Sequence, residues 1–371
     1  MKPFFGSDPD VFLKQVWQTR PAFFKGGLGN PALPFDRSGF IKLSSDKRLV
    51  SRLVLADTHF IVDYGPFSPR RFRSLPETNW TLLISETDRI YREIHQLKSH
   101  LPFIPGWRMD DIMISYGVPG GTVGPHIDEY DVFLIQIGGE KRWRITDSRI
   151  TSPVYRRNEE LRILEQFKPD REFICKTGDV LYLPPGIGHE GTTLEPGFTV
   201  SIGFRAPSLK EGLPVLADLL LASGSDWRFG DKGRQPDRDP HLLSETDQAR
   251  MKNLMAEFSG SDVFRHWAGR MVTESKRGFV YKKPRLKSTD LLKVKNLTWA
   301  PGVRRVLIEG QPLLLYIEGT HFPLPGHPLL KQLIGEDSHS EAIVDAVKRD
   351  KDLTTLVKTC IRNGWLIPSS S

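Results

Sequence analysis

Cysteine is nearly absent: two in 371 residues, Cys175 and Cys360, far apart and outside any paired motif. That excludes zinc ribbons, CxxC redox centres and a disulfide framework, and predicts two buried free thiols. Long apolar runs are missing as well. None approaches the roughly 18 to 20 residues that cross a bilayer, so no membrane partner is expected. Residues 1–8 carry no apolar core before a small-residue cleavage site, so no secretory signal is expected and the default compartment is cytoplasmic. There is no internal repeat and no low-complexity tract. With 39% hydrophobic and 26% charged residues, disordered and collagen-like chains are excluded. At about 150 residues per domain, the length fits two or three globular domains.

What is present in excess is positive charge, and it is local. The net charge is +7, and residues 276–295 hold eight cations (Lys276, Arg277, Lys282, Lys283, Arg285, Lys287, Lys293, Lys295) against one acid, Asp290. Such a run is either a solvated linker or an electrostatic patch for RNA or a ribonucleoprotein. Nothing in it reads bases, so any RNA contact would be non-specific.

Three regions separate by pattern. Residues 1–207 are mixed and turn strongly β after Asp111. Asp8-Pro9-Asp10 predicts a helix N-cap with an early proline, and Val11, Phe12, Val16 and Trp17 follow at near-helical spacing up to Arg20-Pro21. Short apolar runs at 112–118, 132–137, 142–145, 172–175, 180–183 and 199–204, separated by Gly and Pro, predict a sandwich or barrel rather than βαβ units. Residues 208–287 open with helices. Segment 213–221 is apolar enough for a buried helix, and Ser244 is a candidate N-cap for a second helix carrying Met251, Leu254, Met255 and Phe258. Phe264, Trp267, Ala268 and Met271 repeat the spacing in a third. Helical pairs of this kind serve dimerisation or pack onto their own domain. In residues 288–371 a hairpin is predicted around Gly310-Gln311-Pro312. Amphipathic segments follow at 329–334, 342–347 and 353–361, and a strand-like run closes at 365–367. Small helices with a hairpin fit a winged-helix-like module, a fold that does not fix function.

The chemistry concentrates at Pro119-Gly120-Gly121-Thr122-Val123-Gly124-Pro125-His126-Ile127-Asp128. A Gly/Pro loop delivers His-x-Asp directly before an apolar strand, and on extended backbone residues i and i+2 share a face. A second histidine is supplied by Leu183-Pro184-Pro185-Gly186-Ile187-Gly188-His189, read as a tight turn after a strand. Two histidines and one carboxylate form the facial triad of non-haem Fe(II) oxygenases, which leaves the opposite face open for cosubstrate and dioxygen. A metal-free shell of the same fold is the alternative. The other eight histidines lack a convergent carboxylate in a comparable turn.

A 2-oxoglutarate-dependent enzyme also needs a cation inside the barrel for the cosubstrate's distal carboxylate. Lys141, Arg142 and Arg144 compete. Alternation puts Lys141 with Trp143 on one face and the two arginines on the other, and an inward Trp143 carries Lys141 inward, where a desolvated cation binds strongly. Ser115 and Ser201, in neighbouring strands, could donate hydroxyls to the same carboxylate or bond the backbone.

At this point the chain resembles the bacterial JmjC-type ribosomal oxygenases. The resemblance rests on Asp110-Asp111-Ile112-Met113-Ile114-Ser115, Gly124-Pro125-His126-Ile127-Asp128-Glu129-Tyr130-Asp131, Gly178-Asp179-Val180-Leu181-Tyr182-Leu183-Pro184-Pro185-Gly186, His189-Glu190-Gly191 and Ser201-Ile202-Gly203-Phe204-Arg205. It is dense over 101–207 and thinner before, at Trp17-Gln18-Thr19-Arg20-Pro21 and Glu77-Thr78-Asn79-Trp80.

The resemblance implies an α+β chain: a double-stranded β-helix (cupin/JmjC jelly roll) over 1–207, a helical dimerisation region with basic linker over 208–287, and a small winged-helix-like domain over 288–371. It implies an Fe(II)- and 2-oxoglutarate-dependent dioxygenase that uses O2 to hydroxylate the β-carbon of an arginine in a protein of the large ribosomal subunit, protein sixteen. The implied iron ligands are His126, Asp128 and His189, with 2-oxoglutarate held by Lys141 and Ser115. Asp111, Met113, Tyr130 and Ser201 match substrate-pocket positions. Bacterial members often carry arginine where Lys141 stands; lysine keeps the charge and loses the bidentate geometry. A homodimer is implied, and the basic run matches no family motif. Two other readings stay open: a related JmjC oxygenase acting on a histidine or methyl-lysine of another protein, and a catalytically silent cupin that binds ribosomal components.

Overall fold

The structure is a computed structural model, and it describes residues 5–205, 207–224, 227–233, 243–275, 278–284, 294–323 and 328–369. The described residues form two compact units divided at Pro207, with Phe279–Tyr281 and Ala300–Gly302 belonging to the first.

The first unit opens with α1 (Pro9–Gln15). The Asp8 side chain caps it by accepting from Asp10 N–H, and Pro9 occupies the first turn, where a missing N–H costs nothing. The helix ends at Gln15, earlier than the apolar spacing predicts; the next residues instead bring Trp17 into contact with Tyr182 and Phe133. Two further helices, α2 (Arg37–Leu43) and α3 (Arg92–His95), lie among the strands.

Twelve strands follow one another: β1 (Ala22–Phe24), β2 (Ser51–Ala56), β3 (Phe60–Tyr64), β4 (Trp80–Ile84), β5 (Met109–Gly117), β6 (His126–Ile127), β7 (Asp131–Ile137), β8 (Glu140–Arg149), β9 (Arg171–Cys175), β10 (Val180–Leu183), β11 (Ile187–Glu195) and β12 (Gly197–Phe204). They form an eight-stranded sheet in the order β1-β10-β7-β12-β5-β4-β2-β3 and a four-stranded sheet β6-β11-β8-β9. The six strands predicted from apolar runs all form. Those runs did not reveal β1 to β4 or the length of β11.

The two sheets pack face to face. One buried cluster joins Val132, Leu134, Leu181 and Leu183 of the large sheet to Trp143, Ile145, Cys175 and Ile187 of the small one. The opposite face of the large sheet carries the main core. There Ile112, Ile114, Phe133, Ile135, Val200 and Ile202 pack with Phe12 of α1 and Phe40 of α2. Period-two alternation therefore gives β7 and β10 apolar residues on both faces. This is the double-stranded β-helix expected.

In the second unit, α4 (Leu209–Ser223), α5 (Glu245–Ser259) and α6 (Asp262–Thr273) realise the three predicted helices, and Ser244 caps α5 by accepting from Asp247 N–H. The expectation that 213–221 is buried is wrong. Leu213 is 58% and Leu221 85% exposed, because α6 covers only the Gly212 side of α4. At that crossing Trp267 Nε1 donates to the Gly212 carbonyl at 2.8 Å, and a β-carbon on Gly212 would stand 2.5 Å from the indole. Met251 and Met255 of α5 are also exposed.

The C-terminal part holds β13 (Asn296–Trp299), β14 (Arg305–Ile308), β15 (Leu314–Ile317), β16 (Thr320–Phe322), α7 (Leu330–Gly335), β17 (Ser338–His339), α8 (Glu341–Arg349), α9 (Lys351–Arg362) and β18 (Leu366–Ser369). The predicted hairpin is β14–β15, extended by β16, while β13 pairs with β17 and β18. Of the basic run, Lys276, Arg277, Arg285, Lys287 and Lys293 lie outside the described residues. Cys175 and Cys360 are buried free thiols, as expected.

Candidate functional site

The loop before β6 is built to aim a histidine. Gly124 takes φ +76, and a β-carbon there would stand 2.7 Å from Ile163 Cδ1 and 2.8 Å from Phe60 Cζ, so both the backbone shape and the space require glycine. The Gly124 carbonyl pairs with His126 Nδ1 at 2.9 Å, and the Ile187 carbonyl pairs with His189 Nδ1 at the same distance. A carbonyl only accepts, so each Nδ1 carries the proton and each Nε2 presents its lone pair. His126 lies opposite His189 where β6 pairs with β11. The rings stand 4.2 Å apart, and Asp128 Oδ2 lies 3.5 Å from His189 Nε2. Ligand atoms of all three residues fall within 4.8 Å of one another.

His189 sits inside β11, three residues past Gly186, rather than in the Pro-Pro-Gly turn itself. The turn contributes by donating Gly186 N–H to the Asp128 carbonyl at 2.8 Å, which ties the two halves of the triad together. Burial, helped by the neighbouring His126 and opposed by Asp128, lowers the His189 pKa to about 4. It is neutral, the form that binds metal, at ordinary pH. Two imidazole nitrogens and a carboxylate oxygen converging on one point fit a divalent first-row cation with positions left over for other ligands.

On β8 the alternation falls as the sequence predicts. Lys141, Trp143 and Ile145 are buried, Arg142 and Arg144 half-buried, and Arg144 pairs with Glu190 on the other face. Lys141 is 8% exposed, its ammonium 4.9 Å from the centre of the Trp143 ring, and burial lowers its pKa to about 8. Among the described residues no carboxylate and no hydrogen-bond acceptor pairs with that ammonium. A desolvated cation without a counter-ion is suited to an anionic ligand.

Asp111, Met113 and Ser115 alternate along one face of β5, and Thr199 and Ser201 share the matching face of β12, opposite Ser115 and Met113. Ser115 and Ser201 are both buried. Ser201 pairs with Met113 rather than Ser115, which sets it nearer the Asp111 and Tyr130 group than the first serine. A β-carbon on Gly203 would lie 3.5 Å from Tyr130 Cε2 and 3.7 Å from Asp111 Oδ1, so the phenol and the carboxylate meet over that glycine. Burial first, then the carboxylates of Asp128 and Asp111, raises the Tyr130 pKa and keeps its hydroxyl neutral. Asp111 Oδ2 accepts from Glu86 N–H at 3.2 Å.

Three residues on this face were not singled out from the sequence. Arg52 Nη2 lies 4.0 Å from Met113 Sδ, Thr193 faces Lys141 across β8–β11, and Gly191 faces Trp143. The β11 alternation starting from His189 would have found the last two. Arg52 comes from β2, and no local pattern marks it.

Known proteins are similar to this chain over nearly its whole length. A family model described as the JmjC domain matches residues 96–211. The ribosomal protein uL16 3-hydroxylase of Escherichia coli (strain K12) is 30% identical over 367 residues, covering 96% of each chain. The X-ray structure of E. coli ycfD superposes with a TM-score of 0.87 at 27% identity, covering 98% of each chain. The structure of YcfD, a ribosomal oxygenase from E. coli, in complex with cobalt and 2-oxoglutarate superposes with a TM-score of 0.84 at 28% identity, covering 97% of this chain and 98% of that one. With the triad, the buried lysine and this full-length similarity together, the chain belongs to the JmjC-type ribosomal oxygenase family.

Proposed function

We propose that this protein is an Fe(II)- and 2-oxoglutarate-dependent dioxygenase that hydroxylates the β-carbon of an arginine in ribosomal protein uL16. The observation that carries the reading is the combination of His126, Asp128 and His189 with a buried, unneutralised Lys141 on β8, the strand next to the one that carries His189. The uL16 3-hydroxylase similarity supplies the substrate class.

His126, Asp128 and His189 would hold the iron, their orientations fixed by the Gly124 and Ile187 carbonyls and the Gly186 amide. Bound there, the metal would couple O2-dependent oxidation of 2-oxoglutarate to succinate and CO2 with insertion of one oxygen into a C–H bond. Lys141 neutralises the distal carboxylate of the cosubstrate, and Ser115 and Ser201 offer it hydroxyls. Asp111 accepts the substrate guanidinium, while Met113 and the Tyr130 ring flank its alkyl stem. The apolar lining of Val132, Leu134, Trp143 and Ile187 excludes water.

We assign the parts of the chain as a catalytic domain over 1–207, a helical dimerisation region over 208–287 and a winged-helix-like domain over 288–371. The exposed leucines of α4 support a homodimer, and the hairpin with α7 to α9 supports the winged-helix reading. A ribosomal substrate supports a cytoplasmic location; among the described residues no helix is long and apolar enough to cross a membrane. Any contact of the basic run with ribosomal RNA would be non-specific.

The test is to incubate the iron-loaded protein with 2-oxoglutarate, air and uL16 and to locate one added oxygen by tandem mass spectrometry. Its appearance on an arginine, and its loss with Asp128→Ala, is the expected result. Steady consumption of 2-oxoglutarate with uL16 unmodified would reject the substrate.

A further inference from the structure

The turn that follows β4 grips the acidic side of the site from behind. Glu86 adopts a left-handed backbone, φ 60 and ψ 28, and in that shape its N–H reaches Asp111 Oδ2 at 3.2 Å. Thr87 Oγ1 donates to the Ile112 carbonyl at 2.7 Å, and Ile112 N–H donates to Asp88 Oδ1 at 3.0 Å. One turn thus holds residues 111 and 112 by side chain, carbonyl and amide. A left-handed glutamate costs free energy and persists only where its surroundings fix it.

Those surroundings centre on Arg89. Its buried guanidinium meets Glu86 Oε1 through Nε at 3.2 Å and donates through Nη1 to the Tyr281 hydroxyl at 2.7 Å. Its central carbon stands 5.1 Å from the Phe279 ring centre and 5.6 Å from that of Tyr281. Tyr281 is 192 positions further along the chain, immediately before Lys282 and Lys283. A distant segment therefore closes a continuous series of contacts from Tyr281 through Arg89 and Glu86 to Asp111.

We propose that Arg89, set in place by Tyr281 and Phe279, is a positioning residue for substrate recognition, which fixes the Asp111 carboxylate through Glu86. This rests on the reading of Asp111 as the acceptor for a cationic side chain. A guanidinium meets a carboxylate through directional paired donors, so a small displacement of Asp111 weakens its binding more than that of an uncharged side chain of the same shape. Among the described residues, neither Lys141 nor Ser115 makes a side-chain hydrogen bond or ion pair to this turn, so cosubstrate affinity should not depend on it.

The experiment compares kcat/KM for a uL16 peptide with arginine at the target position and for the same peptide carrying citrulline, using the iron-loaded full chain. Tyr281→Phe removes the hydroxyl and keeps the ring; Phe279→Leu removes a stacked ring and keeps the hydrogen bond. Each variant is expected to lower the arginine-to-citrulline ratio about three- to tenfold, the size of a weakened hydrogen bond to a charged group. KM for 2-oxoglutarate and turnover without peptide should stay at the native value. An unchanged ratio in both variants overturns the proposal, and so does an equal fall for both peptides accompanied by weaker 2-oxoglutarate binding, which marks general loosening. A native enzyme that does not distinguish arginine from citrulline would reject the reading of Asp111 itself.

Discussion

The β-carbon that Gly191 lacks would stand 2.7 Å from Cε of Lys141 and equally close to two ring carbons of Trp143. Neighbouring strands β8 and β11 can bring the ammonium and the indole to this position only because nothing projects from Gly191. Gly191→Ala should displace one of the two, and the rigid indole has less freedom than the lysine chain. The expected result is a rise of about tenfold in KM for 2-oxoglutarate with the metal site retained. Unaltered 2-oxoglutarate affinity, measured by calorimetry, would show that Lys141 does not hold the cosubstrate.

Lys141 also gives the site a pH dependence. Its folded pKa is lowered to about 8 from an ordinary 10.5, with burial the main cause. The free protein loses the charge as pH rises through 8, so 2-oxoglutarate should bind progressively more weakly above that pH and take up a proton when it does bind. Stability of the free protein has the opposite sense. Between 8 and 10.5 the unfolded chain holds more protons than the folded one, so stability rises with pH across that window. Calorimetry one unit either side of pH 8 checks the first, and melting of the free protein between 8 and 10.5 the second. Lys141→Met should cost about a hundredfold in 2-oxoglutarate affinity and remove the pH dependence.

Asp128→Ala should abolish 2-oxoglutarate-dependent turnover while leaving the fold in place, because the side chain contacts the triad and not the core. Cobalt(II) at about 100 times its Kd should stabilise the native protein by about 2.7 kcal/mol, visible as a higher melting temperature. The Asp128→Ala variant should show much less of that rise. A melting shift as large as the native one would place the metal elsewhere.

The apolar face of α4 predicts self-association. Leu213 and Leu221 are exposed where the sequence suggested burial, and covering them requires another surface. Light scattering should give a mass well above the 42.2 kDa of one chain, and Leu213→Glu with Leu221→Glu should bring it down to that value. A native monomer would remove the dimer.

The triad was legible because its logic is local: His126 and Asp128 are two residues apart on extended backbone, and a glycine-proline turn announces His189. Lys141 was legible through Trp143, since a large apolar side chain fixes which face of a strand is inside. Residue spacing does not report what covers a helix, so α4 looked buried on composition alone. Nor does it report contacts between distant segments. Glu86, Arg89 and Tyr281 form no motif, and their meeting depends on how segments far apart in the chain are brought together. The same holds for β2 to β4, which extend the large sheet through the pairing of β4 with β5 although their own pattern is short and broken by turns.

On β12 the residues Val200 and Ile202 belong to the main core while Thr199 and Ser201 face the site between the sheets. A shift of one residue in pairing would therefore turn the polar set into the main core and the apolar set toward the site, losing stability and the site in a single step. Partly folded chains with a working pocket are ruled out by that coupling. Specific activity of a preparation is then also a gauge of its correctly folded fraction, and a cell that retains the activity has, in the same measurement, retained the fold.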